Sequence, residues 1–205
     1  MAEKIYHYFD YKSPYAYLAQ AETYRLVEDH GFDVIWVPYT LDIPSYLGAA
    51  KLDERGEDTI GTRNAHQWRR VRYAYMDCRR EANRLGLTIR GPKKIFDSNL
   101  AHIGFLFAQR EGDFRRYHDH IYEKFWLREL DIEDQQSISA ILANCGFDTT
   151  TFAEYCETKG RQQLSDLRLS AEEKGIFGVP SYLIGDDLYW GAERLPRVIE
   201  RASRS

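Results

Sequence analysis

Near its start the chain reads Phe9-Asp10-Tyr11-Lys12-Ser13-Pro14-Tyr15-Ala16. The aromatic run at residues 4–9 predicts a β-strand that leads into this segment. Ser13 is a favoured helix N-cap and Pro14 suits the first helical position, so a helix is expected to begin here. A second β-branched and aromatic run, at residues 33–39, predicts another strand. These elements form a β-α-β unit, which implies two parallel strands and a right-handed crossover.

Near its end the chain reads Gly178-Val179-Pro180-Ser181-Tyr182-Leu183-Ile184. Residues 181–184 and 188–190, separated by a Gly-Asp-Asp turn, predict a β-hairpin followed by a short final helix. The order β-α-β, helices, α-β-β-α resembles the thioredoxin fold with a large helical insertion. The predicted fold class is therefore α/β and thioredoxin-like. The predicted division is a thioredoxin-like domain over residues 1–44 and 164–205 and an all-helical insertion over residues 45–163.

The segment between the two ends is predicted to be mostly helical. Residues 45–62 are polar, small and rich in glycine, which predicts an irregular loop. A further helix, at 164–173, is expected to lead back to the sheet. The other helices are predicted from their periodicity over residues 64–85, 98–109, 113–127, 135–144 and 149–159.

The composition is that of a folded globular protein. The chain has 205 residues, of which 43% are hydrophobic and 14% aromatic, so it can bury a real core. A formal net charge of −4 gives no overall attraction to nucleic acid or to an anionic membrane. No apolar run is long enough to span a bilayer, and the first residues lack the apolar stretch of a signal peptide. We therefore expect a cytoplasmic protein without nucleic-acid or membrane partners.

The three cysteines, Cys78, Cys145 and Cys156, are scattered along the chain. None belongs to a Cys-x-x-Cys pair or to a cluster with the spacing of metal ligands. Neither a disulfide framework nor a metal site is therefore expected. Each cysteine is predicted to be a small, buried apolar residue.

The first helix begins where thioredoxin-like redox proteins carry a Cys-x-x-Cys pair, opposite a loop with a cis-proline. Here the four residues are Ser13, Pro14, Tyr15 and Ala16, and none contains sulfur. A helix N-terminus favours negative charge, and a serine O–H can donate to a thiolate. A serine without a histidine base beside it is a poor nucleophile. We therefore predict that Ser13 holds the thiolate of a bound ligand, although an ordinary helix cap has the same sequence.

Two further segments could bind a thiol-containing peptide such as glutathione. If the Val179-Pro180 bond is cis, the N–H and C=O of Val179 are free to pair with an extended peptide. In Trp190-Gly191-Ala192-Glu193, the N–H groups of Ala192 and Glu193 could bind a carboxylate, and the Glu193 side chain an ammonium group. The γ-glutamyl end of glutathione carries both charges. In both places the alternative is ordinary turn chemistry.

These motifs resemble those of the 2-hydroxychromene-2-carboxylate isomerases and the kappa-class glutathione transferases, which are relatives of DsbA. Residues 9–19 are similar to the family's F-D-x-x-S-P-[FY]-x-Y-L-A stretch. Residues 178–182 and 189–195 are similar to its G-V-P-[TS]-[FY] and F-W-G-x-[DE]-R-L patterns. Residues 73–86 follow its Y-x-x-x-D-x-x-R-x-A-x-x-x-G spacing. The resemblance covers both ends of the chain well and the middle in part.

The resemblance implies that glutathione is the cofactor and that the protein is a homodimer. It implies that Ser13, next to Pro14, contacts the glutathione sulfur. It further implies that Val179, before Pro180, pairs with the cysteinyl backbone of glutathione, and that residues 190–193 hold the γ-glutamyl group. Residue 193 is Glu here rather than the commoner Asp.

The resemblance says less about the second substrate. Asn64 and Tyr73 fall near the family's substrate-contacting positions, and these two residues, with Arg63, are candidates to orient a carboxylate or phenol oxygen. A solvated helix face with a structural tyrosine is an equal alternative. Residues 38–44 depart from the P-F-x-L-G-x-x-F segment that the isomerases place at the substrate pocket. This departure leaves the substrate more open than the cofactor.

The predicted function is that of a glutathione-dependent isomerase acting on a small, conjugated aromatic compound. The thiolate would add to an electron-poor carbon, and elimination after bond rotation would return glutathione. Without elimination the same site would act as a kappa-like glutathione transferase. Two competing functions are a DsbA-family thiol-disulfide oxidoreductase that uses one of the three cysteines, and a non-catalytic module that binds peptide beside Pro180. No acid/base role is assigned to His7, which is expected to be packed or at a strand end, or to His66.

Overall fold

The structure, a computed structural model, describes residues 3–204. Strand β1 (Ile5–Phe9) is followed by helix α1 (Pro14–Glu28) and strand β2 (Val34–Pro38). Ser13 precedes α1 with φ and ψ of −91° and 113°, the extended conformation of an N-cap residue. Because β1 and β2 pair in parallel, the predicted β-α-β unit is confirmed.

Within residues 3–204 the sheet has the strand order β2-β1-β3-β4. Strand β3 (Ser181–Ile184) runs antiparallel to β1 and forms the predicted hairpin with β4 (Asp187–Trp190). Tyr8 of β1 lies opposite Ser181 of β3. Strand β1 therefore lies between β2 and β3, so the residues that follow it can be contacted from two sides.

The remaining helices surround this sheet. Within residues 3–204, none of them combines the length and the apolar character that a bilayer crossing would need. In chain order they are α2 (Ile43–Leu47), α3 (Ala65–Arg84), α4 (Asn99–Glu111), α5 (Arg115–Trp126), α6 (Gln135–Asn144), α7 (Phe152–Glu157), α8 (Lys159–Glu173), a 3-10 turn (Ala192–Arg194) and α9 (Leu195–Ala202).

Helices α2 and α8 differ most from the prediction. The short α2 overlaps the segment that was predicted to be an irregular loop, because a single helical turn is too short to show a hydrophobic period. Helix α8 begins at Lys159 and not at residue 164. Gly160 does not break this helix. A Cβ at Gly160 would lie 2.6 Å from Ile103, so the glycine allows α8 to pack closely against α4.

The core joins the sheet to the helices. The fully buried Phe9 ring lies 4.9 Å from Phe105 of α4 and 4.6 Å from His118 of α5, both edge to face. The same hydrophobic cluster extends from β1 and β2 through α4, α5, α6 and α8. The end of β1 is therefore held in a rigid, aromatic environment. The division into a thioredoxin-like domain and an insertion stays a prediction.

Candidate functional site

Ser13 lies where β1 ends and α1 begins. Its Oγ accepts a hydrogen bond from the Ala16 N–H at 3.3 Å, which confirms that Ser13 is a helix N-cap. The residue is only 5% exposed. The N-terminus of α1, next to Ser13, also presents the other N–H groups of the first turn and the positive end of the helix dipole. An anion that reached the Ser13 hydroxyl would therefore be stabilised by α1.

The turn before α1 is held by Asp10, which is fully buried. Its Oδ1 accepts from the Lys12 N–H at 3.1 Å, and its Oδ2 accepts from the Leu41 N–H at 2.8 Å. The Asp10 C=O accepts from the Ser13 N–H at 3.0 Å. An aspartate that accepts from the N–H two residues later forms an Asx turn. Asp10 therefore fixes the position of Ser13 and connects it to the segment after β2.

The loop before β3 faces Ser13. The Val179-Pro180 bond is cis, and the Ser13 hydroxyl can donate to the Val179 carbonyl oxygen at 3.5 Å. Among the backbone hydrogen bonds of turns, loops and caps within residues 3–204, none has the Val179 N–H as its donor. The Pro180 C=O accepts from the Gly191 N–H at 2.9 Å, so the two segments are neighbours. We call residues 178–181 and 190–193 the β3 flank.

Trp190 and Glu193 form the outer edge of the β3 flank, and Ala192 begins the 3-10 turn between them. Trp190 is 53% exposed. Gly191 has a φ of +103°, and a Cβ there would lie 2.4 Å from the Glu193 carboxylate, so this position requires glycine. The exposed Glu193 carboxylate lies 3.9 Å from the Arg194 guanidinium. It is accessible to a cationic group from solvent.

The two predicted substrate residues, Asn64 and Tyr73, lie on α3. The Asn64 side chain caps this helix in a capping box, in which Oδ1 accepts from the Gln67 N–H at 2.9 Å. Tyr73 is 58% exposed and lies one turn before Asp77, to which the Tyr15 hydroxyl of α1 donates at 3.3 Å. Asn64, at the N-terminus of the same helix, lies about 13 Å from Tyr73 along the helix axis. The structure thus brings the Tyr73 region near the start of α1, whereas Asn64 has a local structural role.

Towards β2, the structure places buried polar side chains that the sequence analysis did not single out. Lys12 Nζ lies 3.6 Å from Asp10 Oδ2, and these side chains are 6% and 0% exposed. His102 Nε2 lies 3.4 Å from Asp10 Oδ1, and His102 Nδ1 lies 2.8 Å from Thr40 Oγ1. We call Asp10, Lys12, Thr40, Leu41 and His102 the β2 flank.

His102 is neutral at pH 7. Burial lowers its pKa to about 4, although the Asp10 carboxylate acts in the opposite direction. The sequence contained one signal for this region, since an aspartate two positions before Lys12 is typical of an Asx turn. Nothing local indicated that Lys12 is buried, because its burial depends on residues distant in the sequence.

Comparison with known proteins decides the family. Residues 4–201 match the DSBA-like thioredoxin domain. The chain belongs to this family. The 2-hydroxychromene-2-carboxylate isomerase of Pseudomonas putida is 25% identical to this DSBA-like protein over 190 residues, covering 92% of this chain and 88% of the isomerase.

Two of the solved structures that resemble this DSBA-like protein are an isomerase and a disulfide reductase. A 2-hydroxychromene-2-carboxylate isomerase has a TM-score of 0.75 at 21% identity, over 98% of this chain and 95% of the other. The cytosolic disulfide reductase DsbM of Pseudomonas aeruginosa, in its structure with GSH, has a TM-score of 0.65 at 15% identity, over 98% of this chain and 100% of the other. The predicted thioredoxin-like fold is thereby confirmed.

The three cysteines of this DSBA-like protein are free thiols, and Cys78 follows Asp77 on α3, to which the Tyr15 hydroxyl of α1 donates. Cys78 and Cys156 are buried, as predicted, and Cys145 is partly buried. Burial raises the pKa of Cys78 to about 12 and that of Cys156 to about 11. These two thiols therefore stay protonated at neutral pH and are poor nucleophiles.

His7 is packed, as expected, and His66 lies exposed on α3. The His7 ring lies 4.8 Å from the rings of both Trp36 and Tyr182. Burial lowers its pKa to about 3, so it stays neutral at physiological pH. Across the described residues 3–204, no three His, Cys, Asp or Glu side chains are grouped as metal ligands would be.

A cavity of about 260 Å³ lies between α1, the end of α3 and α5, and Ser13 does not line it. Its lining includes the apolar Leu18 and Leu87 and the acidic Asp119 and Glu123. No residue of either flank lines it. The candidate site is instead the start of α1 with its two flanks.

Proposed function

We propose that this DSBA-like protein is a glutathione-dependent isomerase of the 2-hydroxychromene-2-carboxylate isomerase type. The observation that carries the proposal is the position of Ser13, whose hydroxyl caps α1 and lies 3.5 Å from the Val179 carbonyl. In a chain of this family, that position offers a hydroxyl without a thiol. The similarity to the Pseudomonas putida isomerase supports the reaction class, and the DsbM structure with GSH supports the choice of ligand.

Glutathione would bind across Ser13 and the β3 flank. Its thiolate would accept a hydrogen bond from the Ser13 hydroxyl and would be stabilised by the N-terminus of α1, beside Pro14. Its cysteinyl backbone would pair with Val179, before Pro180. Its γ-glutamyl group would lie along residues 190–193, with the ammonium on the exposed Glu193 carboxylate. Binding would replace the present contact between Ser13 and Val179.

The reaction would be a reversible addition to a small, conjugated aromatic compound. Glutathione, held by Ser13 and the N-terminus of α1, would supply a thiolate for bonding to the electron-poor carbon, and the electron pair of the double bond would move to the conjugated carbonyl oxygen. The former double bond could then rotate. Elimination would return the electron pair, break the carbon–sulfur bond and release glutathione unchanged with the isomer. The protein accelerates addition by holding both reactants together.

Calorimetry with glutathione and a spectrophotometric assay with 2-hydroxychromene-2-carboxylate test the proposal. The wild type should bind glutathione and should isomerise this compound only when glutathione is present. Ser13→Ala should lower kcat about tenfold to a hundredfold and glutathione affinity less, because a hydrogen bond to a charged group contributes about 1.5–3 kcal/mol. Equal kcat in both proteins would contradict the role of Ser13, and no binding of glutathione would contradict the proposal as a whole.

Asp134→Ala is a matched control, because Asp134 caps α6 by accepting from the Ser137 N–H at 2.9 Å. It removes an N-cap, as Ser13→Ala does, but at a helix that carries no residue of the site. It should lower stability by a similar amount, about 1 kcal/mol, and leave turnover unchanged. A parallel loss of turnover in both variants would indicate a stability effect rather than a role for Ser13.

The same assays separate the competing functions. Formation of a stable glutathione adduct with 1-chloro-2,4-dinitrobenzene, without isomerisation, would indicate a kappa-like transferase. Reduction of insulin disulfides would indicate an oxidoreductase, against which the raised pKa values of Cys78 and Cys156 argue. Binding of glutathione without any turnover would indicate a peptide-binding module.

A further inference from the structure

The Lys12 side chain is mostly buried, and its ammonium group has no full set of hydrogen-bond partners in the described part of the protein. The side chain is only 6% exposed, and the Asp10 carboxylate is 3.6 Å away, which is longer than a hydrogen bond. Within residues 3–204, no acceptor lies within hydrogen-bond distance of Lys12 Nζ. An ammonium group has three N–H donors, and burying them unpaired is unfavourable. The group is therefore ready to donate to an oxygen that a ligand brings.

Asp10 pairs with Lys12 through charge at 3.6 Å and does not accept a hydrogen bond from its ammonium group. Its Oδ1 accepts from the Lys12 N–H, and its Oδ2 accepts from the Leu41 N–H at 2.8 Å. His102 lies 3.4 Å from the first of these oxygens. Asp10 is therefore a positioning residue, which holds the ammonium group in place by charge and leaves its N–H donors available.

The position of Lys12 relative to Ser13 follows from the sheet. Strand β1 lies between β2 and β3, so Ser13 meets Val179 on one side and the β2 flank on the other. The Asp10 oxygen nearest the Lys12 ammonium is the one bonded to Leu41, after β2. Lys12 therefore lies on the side of Ser13 that the β3 flank leaves unused.

Tyr46 of α2 adds a second donor near this flank. Tyr46 is 44% exposed, and partial burial together with the Asp10 carboxylate raises the pKa of its phenol to about 12. The phenol thus keeps its proton at neutral pH and can donate. A cation and a phenol donor are both suited to an anionic oxygen.

We propose that Lys12, positioned by Asp10, binds an anionic oxygen of the second substrate while Ser13 holds the thiolate of glutathione. This inference rests on the proposed function. The oxygen has two possible sources with the same chemistry: a carboxylate already on the substrate, or the enolate oxygen that forms when sulfur adds to the double bond. In the second case, the electron pair that leaves the double bond resides on the oxygen beside Lys12 until elimination returns it, and no proton needs to move.

Binding of trans-cinnamate to protein without glutathione tests the carboxylate source. Calorimetry should give an affinity for cinnamate that falls about tenfold or more in Lys12→Met and is largely restored in Lys12→Arg. Cinnamyl alcohol, which lacks the charge, should bind both proteins equally. Lys4→Met is the matched control, because Lys4 and Asp33 form a pair of similar length, 3.7 Å, on the exposed surface. This control should leave cinnamate affinity unchanged.

Kinetics test the enolate source. If cinnamate affinity is unchanged in Lys12→Met but kcat falls about tenfold or more at unchanged glutathione affinity, the ammonium stabilises the enolate. If cinnamate affinity and kcat are both unchanged, the proposal is wrong. Failure of the wild type to bind glutathione would remove the proposed function, whereas the cinnamate measurement would still report on Lys12.

A crystal of the wild type soaked with 4-bromocinnamate keeps the test independent of the Lys12→Met variant, which could unfold. The bromine fixes the orientation of the ring by anomalous scattering. A carboxylate oxygen about 3 Å from Lys12 Nζ would support the proposal. A bound probe with its carboxylate elsewhere, together with an unchanged kcat in Lys12→Gln, would overturn it.

Discussion

The contacts of the β3 flank are made mostly by backbone groups, whereas those of the β2 flank are made mostly by polar side chains. The β3 flank contributes the Val179 carbonyl and the hydrogen bond from the Gly191 N–H to the Pro180 C=O. The β2 flank contributes the side chains of Lys12, Asp10 and His102, which have almost no solvent exposure. The β3 flank therefore needs glycine and proline at particular positions, and the β2 flank needs particular charged side chains.

This difference predicts how each flank responds to substitution. A backbone hydrogen bond survives most changes of side chain, so the β3 flank should be sensitive only where a new Cβ collides. A buried charge that loses its partner is strongly destabilising, so the β2 flank should be sensitive to each of its members. The β3 flank is therefore suited to a constant peptide ligand, and the β2 flank to a particular charged substrate.

The largest expected effect is that of Asp10→Ala. It leaves the Lys12 ammonium buried without a counter-charge and removes the acceptor of two backbone N–H groups. We expect the free energy of unfolding in urea to fall by about 3–5 kcal/mol. Asp10→Ala combined with Lys12→Met should recover a large part of this loss. If the double variant is as unstable as Asp10→Ala, the ion pair is not the reason for the loss.

The pH dependence of stability should report on His102. Its pKa is about 4 in the folded protein, and the ordinary value is 6.5. Between these values the unfolded chain binds a proton that the folded chain does not, so stability falls as the pH falls from 6.5 to 4. The contribution is at most about 1.4 kcal/mol for each pH unit, or about 3 kcal/mol in all.

Urea unfolding at pH 7, 6 and 5 of the wild type and His102→Asn measures this contribution. The variant should lose less stability on acidification than the wild type. His66→Gln, which changes an exposed histidine of α3, is the control and should follow the wild type. If the free energy of unfolding depends on pH in the same way in the wild type and in His102→Asn, the protonation of His102 does not contribute to the loss of stability.

Gly178→Ala tests the β3 flank by a collision. A Cβ at Gly178 would lie 2.7 Å from Trp190 Nε1, so the indole or the loop must move. We expect a loss of about 1–3 kcal/mol in the free energy of unfolding and weaker binding of glutathione in calorimetry. Gly112→Ala is the control, because the new Cβ would meet Phe147 at an ordinary 3.9 Å. Unchanged glutathione affinity in Gly178→Ala would show that glutathione does not bind at the β3 flank.

The smallest expected effect on stability is that of Ser13→Ala, at the junction of the two flanks. The variant loses the hydrogen bond from the Ala16 N–H and the weak one to the Val179 carbonyl. Thermal or urea unfolding should show a loss of about 1 kcal/mol, the usual contribution of a helix N-cap. A loss several times larger would mean that Ser13 joins the two flanks structurally, beyond its role as a cap.

Much of the fold could be predicted because its signals are local. Ser13 and Pro14 indicate the start of α1, and the Gly-Asp-Asp turn indicates the β3–β4 hairpin; both are present. The prediction for α8 began at residue 164, five residues late, and Gly160 lies in the turn that it missed. The close approach of α8 to Ile103 explains that glycine, and a contact across 57 residues is not visible in a local pattern.

The candidate site divides in the same way. The order and spacing of the residues were enough to predict that Ser13 caps a helix, because caps and turns depend on a few neighbouring residues. The burial of Lys12 was not predictable, since it depends on Leu41 and His102 meeting Asp10 from distances of 31 and 92 positions along the chain. Burial is a property of the whole packed core, and only packing decides which charged side chains lose their contact with water.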